Sequence, residues 1–132
     1  MTDLFPTLRI ARPTNSIDAL LPFYRDGLGF KVLTRFDDHN GFSGAILGHP
    51  GAPWHLEFTW HNSHSAPSCP TEDHLIAVYL PELEIWQGAC ARMAAAGFAP
   101  VAAFNPYWDQ LGYTYEDAEG YRVVLQQQGW TL

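Results

Sequence analysis

The sequence has 132 residues, 47% hydrophobic and 14% aromatic, which suits one compact core and excludes a disordered chain. Seven Lys and Arg against 14 Asp and Glu leave a formal charge of −7, so a basic nucleic-acid face is excluded and a neutral or cationic small molecule is the better partner. No apolar run is long enough to span a membrane, the opening Met-Thr-Asp-Leu-Phe-Pro lacks a leader pattern, and Cys69 and Cys90 read as free thiols of a cytoplasmic protein.

Residues 7–12 (Thr-Leu-Arg-Ile-Ala-Arg) alternate in polarity and predict a strand closed by Pro13. Asn15, Ser16 and Asp18 are helix-start residues, and Leu20, Leu21, Phe23 and Tyr24 supply an apolar face; Pro22 is awkward there and fits only near the first turn. Gly27 and Gly29 end that helix. Strands follow over 30–36 and 42–47, separated by a polar turn at 37–41, and a Gly- and Pro-rich loop fills 48–53. Residues 54–61 are the most informative strand. Trp54, Leu56, Phe58 and Trp60 form one face and require a helix layer; His55, Glu57, Thr59 and His61 form the other, which is either solvated or a site. The Ser- and Pro-rich stretch 62–73 reads as a linker. Residues 75–80 predict a strand, and Pro81-Glu82 opens a helix with Leu83, Trp86, Cys90 and Met93 on one face, ended by Gly97. Three more strands are expected over 100–104, 112–116 and 121–126, with an aromatic loop, Asn105-Pro-Tyr-Trp-Asp109, between the first two. Trp60 and Trp86 are core by periodicity, and Tyr113 and Tyr115 are core or interface. Neither cysteine has a His or acid at a fixed spacing, so neither reads as a nucleophile.

The order strand, helix, three strands therefore occurs twice, in an α+β chain. Module one covers about 5–61 and module two about 74–128, within one domain over 1–132. A βαββαβ ferredoxin-like order would leave two strands unused. Paired βαβββ modules of this length resemble the vicinal oxygen chelate superfamily, which holds glyoxalase I, bleomycin- and fosfomycin-resistance proteins and extradiol dioxygenases. Three strings carry the resemblance: Phe23-Tyr-Arg-Asp-Gly-Leu-Gly-Phe30 at the end of helix one, His55-Leu-Glu-Phe58 in the last strand of module one, and Glu116-Asp-Ala-Glu-Gly-Tyr121 at the turn before the last strand. The resemblance implies a curved, cupped mixed sheet with helices outside, and a homodimer. It also implies four metal-ligand positions, which fall on Arg9, Glu57, Leu75 and Val124. Arg stays protonated and Leu and Val have no ligand atoms, so no cofactor is expected, and a divalent metal would keep one of four positions. His55, Glu57 and His61 lie too far apart along one strand to close around an ion without a bulge; His74 stands one residue out of register.

The site residues expected on these grounds are Glu57 as a general base, with His55 beside it, and Arg9, Thr59, Tyr107, Trp108 and Arg122 as ligand-binding groups. Arg9, His55, Glu57 and Arg122 should face one concave pocket, with Tyr107 and Trp108 at its rim as stacking surfaces. Arg9 either pairs with Glu57 where the metal would sit or, like Arg122, grips a ligand carboxylate. The function this supports is a metal-independent small-molecule binder like the bleomycin-resistance proteins. The competing reading is a glyoxalase-type lyase or isomerase, or a dioxygenase, in which Glu57 works with a metal or with Arg9. A third is a dimer-forming scaffold with a blocked cup.

Overall fold

In a computed structural model, described over residues 5–130, the chain folds as two halves, each a sheet with its helix on one face. The first four residues, on which most of the reading of the N-terminus rests, lie outside the described segment. The first half holds β1 (Leu8–Pro13), α1 (Ile17–Leu21), β2 (Lys31–His39), β3 (Phe42–Gly48) and β4 (Trp54–His61). Its sheet has the order β1-β4-β3-β2, with β1 parallel to β4 and the other pairs antiparallel. The second half holds β5 (Leu75–Tyr79), α2 (Leu83–Ala95), the one-turn α3 (Tyr107–Gln110), β6 (Gly112–Glu116) and β7 (Arg122–Gln126), with sheet order β5-β7-β6 and β5 parallel to β7.

Helix one is where Pro22 matters. Ser16 caps it by accepting from Ala19 N–H at 3.1 Å. Pro22 has no N–H to continue the ladder, and the helix widens over Pro22–Gly27 into a π-turn, with Leu28 N–H bonded to the Phe23 carbonyl at 2.9 Å. Module two departs from its expected three strands. The segment over 100–104 contributes only one bridge, Val101 to Thr114, and the aromatic loop closes into α3. Local polar chemistry explains this: the Asp109 carboxylate accepts from Ala103 N–H, a donor a ladder would need, and Asn105 Oδ1 accepts from Tyr107 N–H and turns the chain into α3.

Phe23 and Tyr24 from the first helix, Leu47, Leu56 and Phe58 from the first sheet, Met93 from α2, and Val123 and Leu125 from β7 form one continuous core. Trp86 packs against it and donates its indole N–H to the Leu125 carbonyl at 2.8 Å. Trp60 does not join: it is 37% exposed, because the helix layer ends at the α1 N-terminus and Trp60 lies among Asn15, Ser16 and Arg35 there. Among the described residues no helix is long and apolar enough to cross a membrane.

Candidate functional site

The β1–β4 register sets Arg9 beside His55, Ala11 beside Glu57 and Pro13 beside Thr59. Strand alternation then points Arg9, His55, Glu57 and Thr59 to the face away from the helices. The Arg9 guanidinium reaches across to both neighbours: Nε donates to His55 Nδ1 at 3.2 Å, and Nη1 meets Glu57 Oε1 at 3.4 Å. With Nδ1 accepting, neutral His55 carries its proton on Nε2. Glu57 is mostly covered, its side chain 15% exposed, whereas that of Arg9 is 45% exposed and open to an incoming group. Ile46 of β3 pairs with Glu57 and is buried, and Gly44 pairs with Thr59. The Phe36 ring lies so close over Gly44 that a Cβ there would meet it. The face thus offers a guanidinium, an imidazole and a carboxylate on an apolar floor.

Arg122 is not part of this group. It is buried in the second sheet, where Nη2 donates to Glu72 Oε2 at 2.8 Å and Nη1 to the Ala102 carbonyl at 3.2 Å. Tyr107 and Trp108 sit on α3, which packs against β6, and their rings meet edge to face at 5.0 Å. The structure therefore assembles Arg9, His55, Glu57 and Thr59, and places Arg122, Tyr107 and Trp108 with the other half of the chain.

The four metal-ligand positions of the superfamily fit a metal poorly. Arg9 holds the carboxylate that would ligate, Leu75 and Val124 bring no donor atom, and His74 has its Nδ1 engaged with Thr71 Oγ1 at 2.7 Å. No group of three metal-ligating side chains is gathered among the described residues.

A second polar constellation lies on the opposite face of β1. Arg12 Nη2 donates to Asp117 Oδ2 at 2.7 Å, and the Tyr24 hydroxyl donates to the same oxygen at 2.8 Å. Asp117 Oδ1 accepts from Glu119 and Tyr121 N–H, and the Arg12 guanidinium stands 3.7 Å from the Tyr121 ring centre. Burial, opposed by Arg12 and reinforced by the Asp117 carboxylate, pushes the Tyr24 phenol far above its ordinary range. This cluster bolts helix one and β1 to the β6–β7 turn. Its signal was in the alternation: Arg12 shares the parity of Leu8 and Ile10, and a cation on a core face needs an acid. Cys90, by contrast, is pushed up by burial, which suits an unreactive thiol.

This fold is that of the glyoxalase/bleomycin-resistance proteins of the vicinal oxygen chelate superfamily. The trypanothione-dependent glyoxalase I of Leishmania major superposes with a TM-score of 0.70 at 19% identity, covering 94% of this chain and 87% of that one. An antibiotic-binding protein from a Streptomyces species superposes with a TM-score of 0.62 at 17% identity, covering 94% and 95%. The chain belongs to the YycE-like family, matching its N-terminal domain over residues 8–59 and its C-terminal domain over 73–127. It is 38% identical over 118 residues to the uncharacterized protein YycE of Bacillus subtilis, covering 89% of this chain and 85% of that protein. The crystal structure of Bacillus subtilis YycE superposes with a TM-score of 0.83 at 36% identity, covering 94% and 90%.

Proposed function

We propose that this YycE-like protein binds a small organic molecule on the Arg9–His55–Glu57 face and does so without the superfamily's metal. The observation that carries the reading is the Arg9 bridge: a half-exposed guanidinium, steadied by His55 and Glu57, holds the one carboxylate among the four positions that would ligate a metal. Arg9 would grip an oxyanion or carbonyl oxygen, Glu57 would accept from a hydroxyl or ammonium group, and Ile46 and Phe36 would offer apolar contact. The antibiotic-binding Streptomyces relative, and the description of Bacillus subtilis YycE as a candidate glyoxalase/fosfomycin-resistance protein, are in keeping with a small polar ligand. The two free cysteines suit a reducing, cytoplasmic setting.

A thermal-shift screen of small organic acids and planar aromatics tests this. Compounds that raise the Tm of the parent protein but not of Arg9→Gln are expected; a set of hits indifferent to Arg9 overturns the site. Mass spectrometry of metals on untagged protein should give a metal-to-chain ratio far below one. A ratio near one would overturn metal independence and favour the glyoxalase-type reading, with Glu57 moving a proton. The superfamily resemblance also leads us to expect a homodimer, so light scattering should give about twice the 14.8 kDa chain mass.

A further inference from the structure

A groove runs between the two sheets, bounded by the open edges of β1 and β5. Leu8 lies with Val78 and Tyr79 at one end, and Arg12 and Pro13 lie with His74 and Leu75 at the other, so the strands run antiparallel along its sides. Two adjoining cavities of about 360 and 380 Å³ make up the groove and share Ile10, Leu56 and Ile76. Leu8 and Ile10 have the parity of a core face, yet they are 58% and 53% exposed because they line this groove instead of meeting a helix. One end is apolar and aromatic, with Phe30, Trp54 and Tyr79. The other is lined by Arg12, Arg122 and His74 and, among the described residues, by no carboxylate, in a protein whose formal charge is −7.

The two arginines differ in how their charge is matched. Arg12 is held by Asp117, whose side chain has no exposed surface. Arg122 is 5% exposed, but its nearest carboxylate, on Glu72, is 61% exposed, and the next, on Glu116 at 3.8 Å, is 37% exposed. Glu72 can return to water at little cost, whereas a buried guanidinium must keep an anion. Arg122 Nε, like Arg12 Nε, is buried and has no hydrogen-bond partner among the described residues.

We propose that this groove binds an elongated amphipathic carboxylate, a free medium-chain fatty acid, whose head group displaces Glu72 from Arg122. The alkyl chain lies along Ile10, Leu56 and Ile76 toward Trp54. Six residues of β1 give the groove a length of about 17 Å, which suits a linear chain better than a fused aromatic. The apolar end of the groove meets the Arg9–His55–Glu57 face at His55, but the head-group end at Arg122 lies with the other half of the chain, so the proposal stands whether or not that face binds a ligand.

Calorimetry with decanoate tests the proposal, with decanol as the same chain lacking the charge. Decanoate should bind the parent protein and decanol should bind much more weakly. Glu72→Gln, an exposed change, should tighten decanoate by about two- to fivefold by leaving Arg122 with only the more distant Glu116. Glu84→Gln removes an equal charge from the exposed start of α2 and should leave decanoate unchanged. Arg122→Gln, if folded by circular dichroism, should weaken decanoate by roughly tenfold or more. Equal binding of decanol and decanoate, no binding of either, or an indifferent Glu72→Gln overturns the proposal. Decanoate that binds only in competition with self-association also overturns it, because a second copy is then the occupant.

Discussion

Arg9 and Arg12 lie three residues apart on one strand and hold their carboxylates in opposite settings. Glu57 meets an exposed guanidinium at 3.4 Å, so its replacement leaves a charge that water can solvate. Glu57→Gln should therefore cost less than about 1 kcal/mol and barely move Tm, while abolishing the binding that depends on Arg9. Asp117 is fully buried and serves Arg12, the Tyr24 hydroxyl and two backbone N–H groups at once. Asp117→Asn strands the Arg12 cation and should cost about 3–5 kcal/mol, seen as a large loss of urea midpoint. A Glu57→Gln loss as large as that of Asp117→Asn would show that the Arg9 pair is a structural brace.

The two helices meet at their C-terminal ends, and the sequence reveals only part of how. Arg92 of α2 donates to the Gly27 and Leu28 carbonyls, each at 3.2 Å, capping the widened turn that Pro22 creates. Gly27 is the point of closest approach: a Cβ there would stand 2.6 Å from Met93 Sδ. Gly27→Ala should lower stability by about 1–3 kcal/mol, and Met93→Ala should make the same change much less costly, a coupling that a double-mutant cycle in urea would measure. Gly27 was legible as a helix end, but not as a packing contact with a residue in the other half. β4 was legible in its bounds and faces, because its alternation is strict and its ends are loops, but the exposure of Trp60 was not, because alternation does not say where the helix layer ends. The strand expected over 100–104 was not, because the competing partner of its backbone, Asp109, and the turn that Asn105 makes with Tyr107 act through local geometry that a polarity pattern does not encode. The assembly of Arg9 with His55 and Glu57 was legible because parity fixes faces. The separation of Arg122 and Trp108 from them was not, because parity fixes a face within one sheet and says nothing of how two sheets lie together.

The halves are joined by a buried phenol and an ion pair as well as by apolar packing, and a second buried phenol lies within the second half; together they make the whole molecule sensitive to alkali. Tyr24 donates to Asp117 across the halves, and Tyr115 packs in the core beside Cys90 of α2. Burial raises both phenols; for Tyr24 the Asp117 carboxylate adds to this against Arg12, and for Tyr115 the bond with Cys90 adds to it. The folded state therefore keeps these protons where the unfolded chain releases them. The unfolded state then binds fewer protons, so raising the pH favours unfolding. This stabilisation is complete below the ordinary tyrosine value of about 10 and declines as pH rises above it. Because Tyr24 links helix one to the β6–β7 turn, its loss should release both halves in one step. Tyrosinate absorbance followed against far-ultraviolet circular dichroism should show a share of ionisation that coincides with cooperative unfolding. Tyr115→Phe should shrink that share. Ionisation complete while the dichroism stays native, or two separate unfolding steps, would show that the Tyr24 phenol does not couple the halves.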